Sequence, residues 1–269
     1  MKRGILLVFL FVVLAAGAVY ASSFALIRHE DVNFYDVSRA RSIEADIYVN
    51  RISEAKAKTG VKLMPVAIVN HGYTVKNKEY KFLTKVLAAR GYLVVSLQHD
   101  LESDPPLSYA GYPYVGRKPM YERAVANILY ALRELKKSEP DADFSKITLV
   151  GHSNGGDISM FFAMEHPELV SRVITLDNLR VPLLANVKAK ILSIRSDGAQ
   201  GFKPDPGVVP DDATCEEAGI EVVKLDEAQH VQMSDRGPDS VKAKIAQVIW
   251  RFLSDDDDKP AKVAGAEKK

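Results

Sequence analysis

The chain has 269 residues, 47% of them hydrophobic and 26% charged, a balance that buries a substantial core and excludes disorder over most of its length. Its 36 basic and 35 acidic residues leave a net charge of +1, which argues against a nucleic-acid binder and against a basic membrane-surface protein. The single cysteine, Cys215, excludes an internal disulfide, and no Cys/His group has the spacing of zinc ligands.

The chain opens on Met1-Lys2-Arg3 and an almost uninterrupted apolar run from Gly4 to Tyr20, followed by Ala21-Ser22-Ser23. A positive start, an apolar stretch and small residues at a cleavage point read as a secretory signal peptide over residues 1–21, cut after Ala21. The alternative is an uncleaved membrane anchor, since apolar character resumes at Phe24 to Ile27. On either reading the remainder is exported, to the periplasm or beyond. At the other end, residues 254–269 open on Ser254 and Asp255 to Asp258 and read as a charged, solvated tail. Residues 22–253 are left as one compact domain.

Within that domain the pattern begins with Asn33 to Val49, whose loose apolar alternation predicts an antiparallel hairpin at a sheet edge. Pro65 to Asn70 and Tyr92 to Leu97 are short apolar runs that read as buried strands, separated by a helical repeat over Tyr80 to Ala89. Met120 to Leu135 predicts a long amphipathic helix with Pro119 at its start. Then come a strand at Ile147 to Val150, a helix at Gly155 to Met164, and strands at Val173 to Leu176, Ala189 to Ile194 and Ile220 to Leu225. Val241 to Leu253 is the last helix. Strands alternating with helices imply an α/β fold, with a mostly parallel sheet covered by helices on both faces.

The chemistry-bearing motif is Gly151-His152-Ser153-Asn154-Gly155, between the strand Ile147 to Val150 and the following helix. A strand that turns sharply into a helix strains the central residue and leaves no room for side chains beside it, hence Gly-x-Ser-x-Gly. Such a turn lifts the Ser153 hydroxyl out at the carboxyl end of the sheet as a nucleophile.

A serine nucleophile needs a general base, because a lone hydroxyl barely ionises at neutral pH. Of six histidines, His230 alone lies in the loop after the last strand. His152 is the neighbour of the serine, with its side chain directed away from the attack site. The third member should be a carboxylate after the penultimate strand, which favours Asp197, with Asp205 as the alternative. Asp177, at the end of the preceding strand, is a third candidate. For the oxyanion the donors expected are the backbone N–H of Asn154 and that of Tyr73, in the loop His71-Gly72-Tyr73. Gly72 lets that loop bend close, and His71 braces it.

With these motifs in the order His71-Gly72, Gly151 to Gly155, an acid, then His230, residues 33–253 resemble the α/β-hydrolase family. The segment Tyr35 to Ile43, followed by Ile47-Tyr48, also resembles the N-terminal hairpin of dienelactone-hydrolase-like esterases. The resemblance implies a serine hydrolase, carboxylesterase- or lipase-like, acting on a small-molecule ester with no metal or organic cofactor. Only Asp177 to Lys188 separates two strands where relatives insert a cap, so no large cap domain is expected. Leu101 to Lys118, with Tyr109, Tyr112 and Tyr114, is the candidate substrate wall. The same triad would serve a peptidase or an acyltransferase, and the fold could also serve a non-catalytic exported binding protein.

Overall fold

The computed structural model describes residues 26–108, 113–183, 187–198 and 201–254. The apolar N-terminal segment with its cleavage point, the tail from Asp255 onward, and Tyr109 and Tyr112 lie outside the described residues.

Eight strands form one sheet in the order β1-β2-β4-β3-β5-β6-β7-β8. β1 (Ile27–Asp36) and β2 (Arg41–Asn50) make the edge hairpin, in antiparallel register from Ile27↔Asn50 to Asp36↔Arg41. It starts six residues before the sequence pattern suggested. The outer strand is polar on its exposed side (His29, Asp31, Asn33) and its half-buried residues include Val32 and Phe34, which blurs the alternation.

β2 runs antiparallel to β4 (Leu93–Leu97), and from there the sheet is parallel. Its other members are β3 (Met64–Asn70), β5 (Ala142–His152), β6 (Val170–Leu176), β7 (Lys190–Arg195) and β8 (Ile220–Lys224).

Strand alternation divides the core into two layers. On one face Val66, Ile68 and Leu149 pack with α3 (Pro113–Ser138) and α4 (Asn154–Glu165), through Tyr121, Ile128, Ile158 and Phe161. On the other, Ala67, Val69 and Val94 meet α2 (Lys81–Ala89) and α6 (Asp239–Ser254), through Leu83, Leu87, Ile245 and Ile249.

Two short helices escape the sequence pattern: α1 (Arg51–Lys58), capped by the Asn50 side chain, and α5 (Asp212–Ala218), capped by Asp211. α3 corrects another expectation. It starts at Pro113, so Pro119 lies inside the helix, where it withholds an N–H from the carbonyl of Val115. α6 includes Ser254. Thirteen residues, 177–189, link β6 to β7, and no cap domain rises there among the described residues. No helix of the described residues is long and apolar enough to cross a membrane.

Candidate active site

β5 delivers Ser153 at the top of the sheet. The residue is held at φ +54° and ψ −120°, a strained conformation for a side chain with a Cβ. Its neighbours must be small. A Cβ on Gly151 would sit 2.1 Å from the Gly155 carbonyl oxygen, and one on Gly155 would sit 2.0 Å from that of Asn70. The second contact shows how closely the end of β3 lies against the first turn of α4. It brings His71-Gly72-Tyr73 beside Asn154, the first residue of that helix.

His230 stands between Ser153 and a carboxylate. Its Nε2 is 3.0 Å from Ser153 Oγ and its Nδ1 is 2.9 Å from Asp177 Oδ2. These partners assign the tautomer: Nδ1–H donates to the carboxylate, and Nε2 accepts the serine proton. Both His230 and Asp177 are buried.

The carboxylate is not the one favoured from the sequence. Asp197 is exposed, with its backbone N–H donating to the Ala228 carbonyl. Asp205 is ion-paired to Arg180. Sheet order supplies the reason. β6 lies directly beside β5, whereas β7 is one strand further out, so the end of β6 is the nearer place for a partner of His230. Asp177 sits in the left-handed region at φ +56°, which aspartate tolerates better than most side chains. In the sequence its one mark is its place directly after the strand that ends at Leu176.

Asp177 is firmly held in its ionised form. Burial pushes its carboxyl up, but hydrogen bonds from His230 and Ser196 and the charge of Arg195 outweigh this and leave it below the usual value.

His71 is hydrogen-bonded on both ring nitrogens in the loop after β3. Its Nδ1–H donates to the Gly72 carbonyl and its Nε2 accepts the His99 N–H. His99 Nε2–H donates to Asn70 Oδ1, Asn70 donates to Ser159 Oγ, and Ser159 donates to the Gly155 carbonyl. Burial holds both imidazoles toward their neutral forms.

Tyr114 does not face this site: its ring packs on Tyr121 and edge-on to Phe161, against the core. The segment before it contributes Leu101, Pro105 and Pro106 to a cavity of about 470 Å³ beside Tyr73. Leu107 N–H donates to the Tyr73 hydroxyl there. One contact had no signal in the sequence. The ring of Phe202 lies flat on His230, 4.1 Å between centroids and 3° between planes.

Away from this site, His29, Asp31 and Asp46 bring three possible metal-ligand atoms within 4.8 Å of one another. Lys78 Nζ stands 3.1 Å from Asp31, and Asn77 donates to Asp46, so both carboxylates have partners within the protein.

Comparison with known proteins agrees with this architecture. The chlorophyllase family model matches residues 55–184. A Bacillus subtilis protein provisionally named 2-succinyl-6-hydroxy-2,4-cyclohexadiene-1-carboxylate synthase is 26% identical over 157 residues. That match spans 55% of this chain and 52% of the other, about half its length. Among solved structures, Est1E from Butyrivibrio proteoclasticus superposes with a TM-score of 0.59 at 13% identity, over 85% of this chain and 99% of that one. The dienelactone hydrolase of Anabaena variabilis gives 0.57 at 15% identity, over 85% and 98%. At such identities the likeness is one of fold. The sheet order, the turn at Ser153 and these matches show that the chain has the α/β-hydrolase fold.

Proposed function

We propose that the chain is an exported serine hydrolase that cleaves carboxylic esters through an acyl-enzyme on Ser153. The observation that carries this reading is the position of His230, 3.0 Å from Ser153 Oγ and 2.9 Å from Asp177. Esterase and dienelactone-hydrolase neighbours sharing the fold support it.

As His230 Nε2 takes its proton, Ser153 Oγ attacks the ester carbonyl. Asp177 keeps Nδ1–H in place and stabilises the imidazolium. The tetrahedral oxyanion is received by the N–H groups of Asn154 and Tyr73, at the start of α4 and in the loop after β3. The intermediate collapses as Nε2–H protonates the departing alcohol. Water then enters with His230 again as base, releasing the carboxylic acid and restoring Ser153. No resident cofactor is needed for these steps. The apolar N-terminal segment, cleaved after Ala21 or retained as an anchor, directs export.

Hydrolysis of a short-chain aryl ester tests the proposal. Ser153→Ala should lose at least ~10⁴-fold in kcat, since removing the nucleophile leaves only binding and oxyanion stabilisation. Asp177→Asn should lose roughly 10³- to 10⁴-fold, while Asp197→Asn and Asp205→Asn stay within a few-fold. Undiminished turnover by Ser153→Ala would sink the reading.

A further inference from the structure

His152 is buried at 3% exposure between two parts of the site, and each of its ring nitrogens is engaged. Nε2 lies 2.9 Å from the backbone carbonyl of His230. Nδ1 lies 2.9 Å from the hydroxyl of Tyr80, which in turn lies 2.9 Å from the backbone N of Gly72.

The proton positions along this chain follow from the chemistry of its members. A carbonyl only accepts, so Nε2 carries a proton. Burial, with the neighbouring His230 adding to it, pushes the His152 pKa down to about 3. At neutral pH the ring therefore has one proton, and Nδ1 is a bare acceptor. Tyr80 must give Nδ1 its only hydrogen, since burial pushes its phenol up and keeps it protonated. The phenolic oxygen is then left to accept from Gly72 N–H. Every donor points the same way, from Gly72 to Tyr80 to His152 to His230.

The close fit at Gly72 supports this assignment. A Cβ there would stand 3.1 Å from both His152 Nδ1 and the Tyr80 hydroxyl, so the oxyanion loop lies closely against the relay and a side chain at residue 72 would have to push it by a few tenths of an ångström.

We propose that Tyr80 and His152 act together as positioning residues, holding the oxyanion loop Gly72-Tyr73 and the backbone of the base His230 in fixed mutual register. This rests on the serine-hydrolase reading, because it assigns a role toward that reaction. Neither residue touches the substrate. The two halves of the site come from segments nearly 160 residues apart in sequence, and errors of ~1 Å in such placement can cost ~100-fold in rate. A rigid neutral ring bonded at both nitrogens removes that freedom. In the register it sets, His230 Nε2 faces Ser153 Oγ while the oxyanion donors face the carbonyl oxygen of the ester that this hydroxyl attacks.

The test combines ester turnover with the rate of phosphonylation of Ser153 by a fluorophosphonate, read by mass spectrometry. Tyr80→Phe deletes one oxygen atom, breaking the chain in the middle while keeping the ring. It should lower kcat and the phosphonylation rate by ~10- to 100-fold with KM within ~3-fold. His152→Phe should do the same. The double variant should be no slower than the slower single one, because each change breaks the same chain. His152→Gln, which keeps an N–H for the His230 carbonyl, should recover part of the loss.

Several results would overturn the proposal: native-like kcat in Tyr80→Phe, a loss confined to KM, or losses that multiply in the double variant. Should His152→Phe fail to fold, Tyr80→Phe decides alone by the split between kcat and KM. Absence of any adduct on the native protein would overturn the serine-hydrolase reading and this role with it. Native labelling with unaffected variants would overturn this role only.

Discussion

Asp157 lies one turn beyond Ser153 and holds the loop that follows Asp177. Its Oδ1 accepts the N–H groups of Leu179, Arg180 and Val181 at 3.1, 2.8 and 2.9 Å, while its buried Oδ2 has no partner. Burial outweighs those three donors and the nearby Arg117, pushing the pKa from 3.8 up to about 6. An acid whose pKa rises on folding makes the folded state bind more protons than the unfolded state between those values. Its effect on stability is absent below about pH 4, grows less favourable as pH rises, and is complete above about pH 6. Asp157→Asn retains the accepting oxygen and cannot ionise. Urea unfolding from pH 4 to 7 should therefore show the variant gaining on the native protein by on the order of 2–3 kcal/mol through that window. Parallel curves would contradict this assignment.

At this scale the sequence was most readable where chemistry dictates residue type. The small residues around Ser153 and the position of His230 after the last strand need only local pattern and chain order. Asp177 did not yield to the same reasoning, because what selects it is adjacency in the sheet, β6 beside β5. Chain order does not encode that adjacency. Phe202 lies deeper still, since its stacking on His230 depends on how a long loop returns across the site.

Among the elements, the loop after His230 and the start of α2 behave as one piece. Asp235 caps α2, its carboxylate accepting the N–H groups of Lys81 and Phe82 at 2.9 and 3.2 Å, and its own N–H donates to the Glu79 carbonyl. Arg236 grips the Glu79 carboxylate through two nitrogens and reaches the Thr74 carbonyl. The two contacts differ in strength for a physical reason. A carboxylate at a helix N-terminus meets donors with no other partner in the helix, whereas the Arg236–Glu79 pair is open to solvent and screened. Thermal unfolding should show Asp235→Ala costing about 1–2 kcal/mol and Arg236→Ala less than about 1 kcal/mol. The reverse ranking would refute this account. The helices that sequence reading recovered, such as Val241 to Leu253, present long apolar faces. α1 and α5 are short and bury little, Ala57 and Cys215 being their buried residues, so periodicity has almost nothing to register.

The described residues of the molecule form one sheet shared by two apolar layers. Ile68 and Val69 are sequence neighbours in β3 but belong to opposite layers, so disrupting either layer exposes the strands that support the other. We expect a single calorimetric transition, with calorimetric and van't Hoff enthalpies equal, for residues 22–253. Two resolved transitions would show that the layers melt separately.

The same geometry sets a direction for the molecule. Ile27 pairs with Asn50, at the end of the sheet where the parallel strands begin, and Arg90 at that end donates to the carbonyl of Leu253 near the close of α6. Ser153 stands at the opposite pole, after the last residue of β5. Both ends of the described residues therefore lie at the end of the sheet away from Ser153. A carrier surface, a bead or a fused partner attached at either of these ends would leave the mouth of the site turned outward, open to substrate arriving from solution.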